Sequence, residues 1–88
     1  MPENLKIATI NVNGVRAAYR KGLAEWVISE SPDIIALQEV RAETTDLEEI
    51  FAAIAQEQND GTTWHILHDN ASAKGRAGVA VVSKMKPV

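Results

Sequence analysis

The sequence predicts an α/β fold, a sheet of about four strands with about two helices packed on one face. Two observations carry this: short β-branched apolar runs alternate with segments whose apolar residues recur at helical spacing, and each boundary is marked by a turn or helix-stop signal. The first run, Leu5 to Val12, holds Ile7, Thr9, Ile10 and Val12 and stops at Asn13-Gly14, so it reads as a buried strand. From Lys21 to Ser29, Leu23, Trp26 and Val27 follow helical spacing and Pro32 supplies a stop. Asp33 to Val40, with Ile34-Ile35-Ala36-Leu37 bounded by Pro32-Asp33 and a polar exit, reads as a second buried strand. The clearest helix follows: Thr45 and Glu48 have capping-box spacing, and Leu47, Ile50, Phe51 and Ile54 form one stripe. Asn59-Asp60-Gly61 ends it. Thr63 to His68 alternates Trp64 and Ile66 against His65 and Leu67, residues 69–76 read as a loop, and Gly78 to Ser83 is a compact Val-rich strand. The expected sheet ends with this last strand on an open edge, which intact proteins usually avoid or cover. Residues 1–88 are thus expected to form the amino-terminal part of one domain, incomplete at its C-terminus.

At 88 residues the chain suffices for one small, marginally stable unit. Its 45% hydrophobic and 24% charged content is ordinary for globular proteins and argues against wholesale disorder. There is no apolar run of membrane-spanning length, and Met-Pro-Glu-Asn does not open like a secretory signal. A cytoplasmic location and no membrane partner are the expectation. With no cysteine, disulfides and thiolate metal sites are excluded, and hard cations held by oxygen become the natural metals.

A net charge of −3 and a pI near 5.3 argue against a protein that coats nucleic acid indiscriminately. The charges are segregated, however. Between Ala42 and Ala73 there is no Lys or Arg, while Glu43, Asp46, Glu48, Glu49, Glu57, Asp60 and Asp69 fall there. Arg16, Arg20, Lys21, Arg41, Lys74 and Arg76 lie on connections between elements, where they serve either solubility or a local phosphate-gripping face.

Asn11, Asn13 and Gly14 stand where the first strand gives way to a loop. An Asn-Gly pair makes a turn, and amide oxygens at a strand end also orient a metal ligand or phosphate. Glu39 ends the second strand, either as a solvated exit or as an oxygen ligand at the edge where open α/β sheets bind ligands. A single Glu suits magnesium, which keeps several waters. His65 and His68, three apart in a strand, fall on opposite faces and make an unlikely metal pair. Trp26 and Trp64 sit on core-like stripes, which favours packing over base stacking.

Three segments carry a resemblance. Ile7-Ala8-Thr9-Ile10-Asn11-Val12-Asn13-Gly14-Val15-Arg16-Ala17, then Ser31-Pro32-Asp33-Ile34-Ile35-Ala36-Leu37-Gln38-Glu39-Val40-Arg41, then Lys74-Gly75-Arg76-Ala77-Gly78-Val79-Ala80-Val81-Val82-Ser83-Lys84 resemble successive blocks of the exodeoxyribonuclease III and AP endonuclease family. They occur in the family's order with similar gaps. The resemblance implies the endonuclease/exonuclease/phosphatase superfamily and its DNase I-like fold, a two-sheet α/β sandwich of which this chain is a partial half. It implies hydrolysis of DNA phosphodiesters in base-excision repair with Mg2+ or Mn2+, as an abasic-site endonuclease and a 3′ to 5′ exonuclease. The partner is then duplex DNA with abasic sites or 3′ ends, and the protein a monomer.

Carried over residue by residue, Glu39 and Asn11 become catalytic and metal-site residues, and Arg16, Ala17, Lys21, Arg41, Lys74 and Arg76 become DNA contacts. Arg41 stands where the family often has Lys, and Arg76 where relatives carry an aromatic residue. The family's active-site Tyr, Asp-x-Asn, further Asp and closing Asp-His fall beyond the equivalent of Val88, so the resemblance makes this chain an incomplete half-site, inactive alone. Two rivals remain: another phosphoesterase of the superfamily, since fold and one metal Glu do not choose a substrate, and a non-catalytic binding or structural half-domain.

Overall fold

In the computed structural model of the chain, residues 5–69 and 78–85 are described. They form β1 (Ile7–Asn11), α1 (Val15–Arg20), α2 (Leu23–Glu30), β2 (Ile34–Gln38), α3 (Thr44–Gln58), β3 (His65–Asp69) and β4 (Val79–Ser83). The strands make one mixed sheet in the order β1-β2-β4-β3. β1 and β2 are parallel, with Ile7 opposite Ile34 and Asn11 opposite Gln38, and β4 runs antiparallel to both β2 and β3. The C-terminal ends of β1, β2 and β3 therefore share one edge of the sheet with the start of β4.

Side-chain alternation sorts the strands into two faces. Ile35, Leu37, Ala80 and Val82 are buried, with Ile10 and Ile66 packed against them, and all six point to the side carrying the helices. The opposite parity leaves Ile7, Leu67, Val79 and Val81 exposed, with Ile7 at 62% and Leu67 at 57%. One core exists because the helices supply apolar stripes to one side only. On α3 the predicted stripe Leu47, Ile50, Phe51 and Ile54 is buried in full, and α2 adds Leu23, Ala24 and Val27. Burying each large side chain of this kind contributes about 1.5–3 kcal/mol. Phe51 meets Trp64 edge to face at 5.7 Å, and the Trp64 indole N–H donates to Gln58 at 3.0 Å, so both ends of this amphipathic ring are satisfied.

Three expectations are corrected. The helix read from Lys21 is α2 alone, and a further short helix, α1, precedes it in a stretch not read as an element, so the sheet carries three helices and not two; Gly22 at φ 116 separates α1 from α2. The α3 cap is the Glu43–Asp46 pair and not Thr45–Glu48: the Asp46 carboxylate accepts the Glu43 N–H at 3.0 Å. The same spacing recurs two residues earlier, where the acid in the first turn also meets the positive end of the helix dipole. Finally, β4 is not an edge strand but is inserted between β2 and β3, leaving β1 and β3 at the edges. Its near-continuous apolar sequence suits that interior place, where Ala80 to Ser83 pair with a strand on each side. The α3 end does follow expectation, with Asn59 in the left-handed conformation and its N–H donating to Ala55 O.

Candidate active site at the C-terminal edge of the sheet

Beyond β1 and β2 the two chains keep running side by side. Val12 N–H donates to Gln38 O at 3.0 Å, Gly14 to Glu39 O at 2.8 Å and Val15 to Val40 O at 2.9 Å, while Val40 N–H reaches Gly78 O at 2.9 Å. This ladder fixes Asn11, Asn13, Glu39 and Arg41 relative to one another before any side chain acts.

Within it, three non-glycine residues take positive φ: Asn13 at 45°, Glu39 at 54° and Arg41 at 51°. Such residues are uncommon and cluster at functional sites, where surrounding bonds hold the strain. For Glu39 the consequence is direct. Strict alternation after Leu37 and Gln38 sends residue 39 to the helix-covered side, but the left-handed turn redirects its carboxylate to Asn11, on the open face.

The resulting cluster has three members. The Asn11 side-chain amide donates to Glu39 Oε2, and Asn11 Oδ1 accepts the Asn13 N–H at 3.0 Å. Arg41 Nη2 donates to Glu39 Oε1 at 3.0 Å in an ion pair whose side chains are 52% and 36% exposed. Both Glu39 oxygens thus accept N–H bonds. The Asn11 bond, and after it the Arg41 guanidinium, hold the Glu39 carboxyl below its ordinary range, against a small opposing effect of burial. Next to it, Gln38 donates to Thr9 Oγ1 at 2.9 Å and stiffens the last rungs of β1 and β2.

Chemically, this is a water-accessible carboxylate whose ionised form is favoured by its two N–H donors and whose orientation is fixed by an amide. It is the one carboxylate of the cluster, and among the described residues no three His, Cys, Asp or Glu gather elsewhere to hold a metal. A single carboxylate with open water positions fits a small hard cation, which binds through one or two carboxylates and keeps its remaining waters. Asn11, with its amide N–H on Glu39 and its oxygen on the Asn13 N–H, is arranged to position that carboxylate.

The other sequence-predicted residues distribute unevenly. Arg16 and Ala17 open α1, directly after the rung that ties Val15 to Val40, and Arg16 is exposed. Lys21 caps the far end of α1, displaced by about 9 Å at 1.5 Å per residue. Lys74 and Arg76 lie outside the described residues. Glu48, Glu49 and Glu57 are exposed along α3. His65 and His68 do fall on opposite faces; His68 Nδ1 meets Thr44 Oγ1 at 2.8 Å and fastens the start of α3 to the edge strand. That clasp was not foreseen, and neither was the direct Arg41–Glu39 bond. Two-residue spacing after a strand is the one sequence signal for the latter, and it becomes informative only once left-handed turns are known.

One helix-backed sheet, with an amide and a carboxylate clustered at its C-terminal edge, is the half of a DNase I-like α/β sandwich that carries an acid at the strand ends. The chain belongs to the endonuclease/exonuclease/phosphatase family, whose sequence profile matches residues 8–88. It is 30% identical over 83 residues to a DNA-(apurinic or apyrimidinic site) endonuclease of Dictyostelium discoideum, covering 94% of this chain and 21% of that protein. Over 85 residues it is 32% identical to the DNA repair nuclease APEX1 of Danio rerio, covering 97% and 26%, and 32% identical to an exodeoxyribonuclease of Bacillus subtilis, covering 96% and 30%. The structure of an AP endonuclease from Archaeoglobus fulgidus superimposes with a TM-score of 0.71 at 33% identity, over 96% of this chain and 29% of that one. The chain therefore spans less than a third of the length of these relatives. The family as a whole is generally metal-dependent.

Proposed function

We propose that this chain supplies the carboxylate-bearing half of a DNA phosphodiesterase site, and that the protein it represents acts in base-excision repair on abasic sites and on 3′ ends of duplex DNA. The observation that carries the reading is the Asn11–Glu39 pair at the C-terminal sheet edge, with Arg41 on the same carboxylate. The similarity to AP endonucleases and an exodeoxyribonuclease supports DNA over other phosphate esters. Mg2+ is the expected cation, with Mn2+ as a substitute, and when bound it supplies charge neutralisation at the scissile phosphate. Glu39 would hold it; Asn11 holds Glu39 in place. Arg16 and Arg41, together with Lys74 and Arg76, would grip the DNA backbone, with Ala17 letting it approach and Lys21 reaching it from the end of α1. We place the protein in the cytoplasm as a monomer.

The base that activates water and the donors that stabilise a pentavalent phosphate are assigned to residues outside this cluster, and such groups commonly supply several kcal/mol each. The test is cleavage of a duplex oligonucleotide with one abasic site, in magnesium and in chelator. The 88-residue chain is expected to leave it intact. A longer protein continuing into a Tyr, an Asp-x-Asn and a closing Asp-His is expected to cut it, and to lose most of that activity on Glu39→Gln with partial rescue by excess metal. Robust metal-dependent cutting by the 88-residue chain would overturn this division of the site.

A further inference from the structure

Of the three contacts in the cluster, the one made by Arg41 differs in kind. Asn11 is held at both ends, its donor on Glu39 and its acceptor on the Asn13 N–H, so it cannot leave without abandoning a turn. Among the described residues the Arg41 side chain has its one hydrogen bond and ion pair with Glu39, is more than half exposed, and comes from a backbone pinned on either side of the neighbouring Val40 by the bonds to Val15 and Gly78. Its side chain can swing while the main chain stays fixed. A guanidinium stays charged at any accessible pH, so it cannot vacate the carboxylate by losing a proton. It leaves when a cation competes for the carboxylate or an anion competes for the guanidinium.

We propose that Arg41 is a displaceable counter-ion: it occupies the Glu39 oxygen that a divalent cation needs, and cation entry hands its guanidinium to the substrate phosphate. This rests on Glu39 being the cation ligand. Two positive groups on one carboxylate oxygen repel each other, so cation and guanidinium compete for Oε1 while Asn11 keeps Oε2 in place. The released fork of N–H donors matches two oxygens of a phosphate, a geometry that the point charge of a Lys does not offer. Cation and phosphate then bind with positive coupling, and by linkage each raises the affinity for the other by the same factor. Without a cation, Arg41 stays on Glu39 and the site is poorly armed for DNA.

The experiment uses the 88-residue chain, wild type and with Arg41→Gln, Arg41→Ala or Glu39→Gln, with backbone amide spectra confirming that each variant is folded. Mn2+ binding is read from paramagnetic broadening of the Asn11 side-chain amide, and the state of Arg41 from its Nε–H resonance in Mg2+ with inorganic phosphate as probe. Removing the competing charge is expected to tighten Mn2+ binding by about 3- to 10-fold in both Arg41 variants. In the wild type, Mg2+ is expected to shift the Arg41 resonance and raise phosphate affinity about 3-fold, a coupling absent from Arg41→Gln. Unchanged or weaker Mn2+ binding in the Arg41 variants, with binding still abolished by Glu39→Gln, would overturn the counter-ion role and leave the metal site standing. Broadening that is absent throughout, or that survives Glu39→Gln, would overturn both.

Discussion

Val81 and Val82 are adjacent in β4, identical in chemistry and in β-propensity, and lie on opposite faces of the sheet: Val81 is 40% exposed and Val82 fully buried. Replacing each by Ala cancels the propensity change and leaves packing alone. Val82→Ala deletes two carbons, about 1.6 kcal/mol at 0.8 kcal/mol per buried methylene. The cavity adds to this, because Ile35, Leu37 and the α3 stripe close only partly around it, bringing the loss to about 2–3 kcal/mol. Val81→Ala opens no cavity and is expected to cost less than about 1 kcal/mol. Urea unfolding followed by the combined fluorescence of Trp26 and Trp64 reads the difference. With a slope near 1 kcal/mol per molar for a chain of this size, the midpoint falls by about 2–3 M for Val82→Ala and by less than about 1 M for Val81→Ala. Equal shifts, or a larger one for Val81→Ala, would refute a core confined to the helix side.

Gly22→Ala should destabilise by about 1–2 kcal/mol, because φ 116 is costly for an L residue although the new Cβ meets only Glu25 at an ordinary 3.6 Å; thermal unfolding measures it, and an unchanged midpoint would contradict the left-handed hinge between α1 and α2. Asn59→Gly should be neutral or slightly stabilising, since glycine takes the left-handed cap without strain; a clear loss in chemical denaturation would argue against that cap. Acid should destabilise the chain through two carboxyls. Glu39 is lowered first by Asn11 and then by Arg41, and Asp60 first by the Thr62 hydroxyl and then by its N–H. Folded values below unfolded ones mean that this stabilisation is complete above the ordinary carboxylate range and lost as pH falls through the lowered values. A melting-temperature series below about pH 5 should be shallower for Asp60→Asn and Glu39→Gln, and parallel curves would contradict the shifts.

The sequence by itself determined the local grammar. Three short apolar runs and one alternating segment became four strands, the Leu47-Ile50-Phe51-Ile54 stripe became the buried face of α3, and Asn59 ended that helix, because periodicity and turn chemistry act over a few residues. It also placed Asn11 and Glu39 at strand ends, and their partnership was legible through resemblance. What only the tertiary structure decided was strand order, since the insertion of β4 between β2 and β3 depends on pairings between residues more than forty positions apart, such as Leu37 with Ala80. It decided as well that three residues after the strands turn left-handed. That turn reverses the direction alternation assigns to Glu39, and the rungs from Val12, Gly14 and Val15 hold Glu39 and Arg41 in a backbone conformation that, unlike asparagine, they rarely adopt. The same long-range ladder puts Arg41 on Glu39, a contact that their two-residue spacing permits but does not by itself determine.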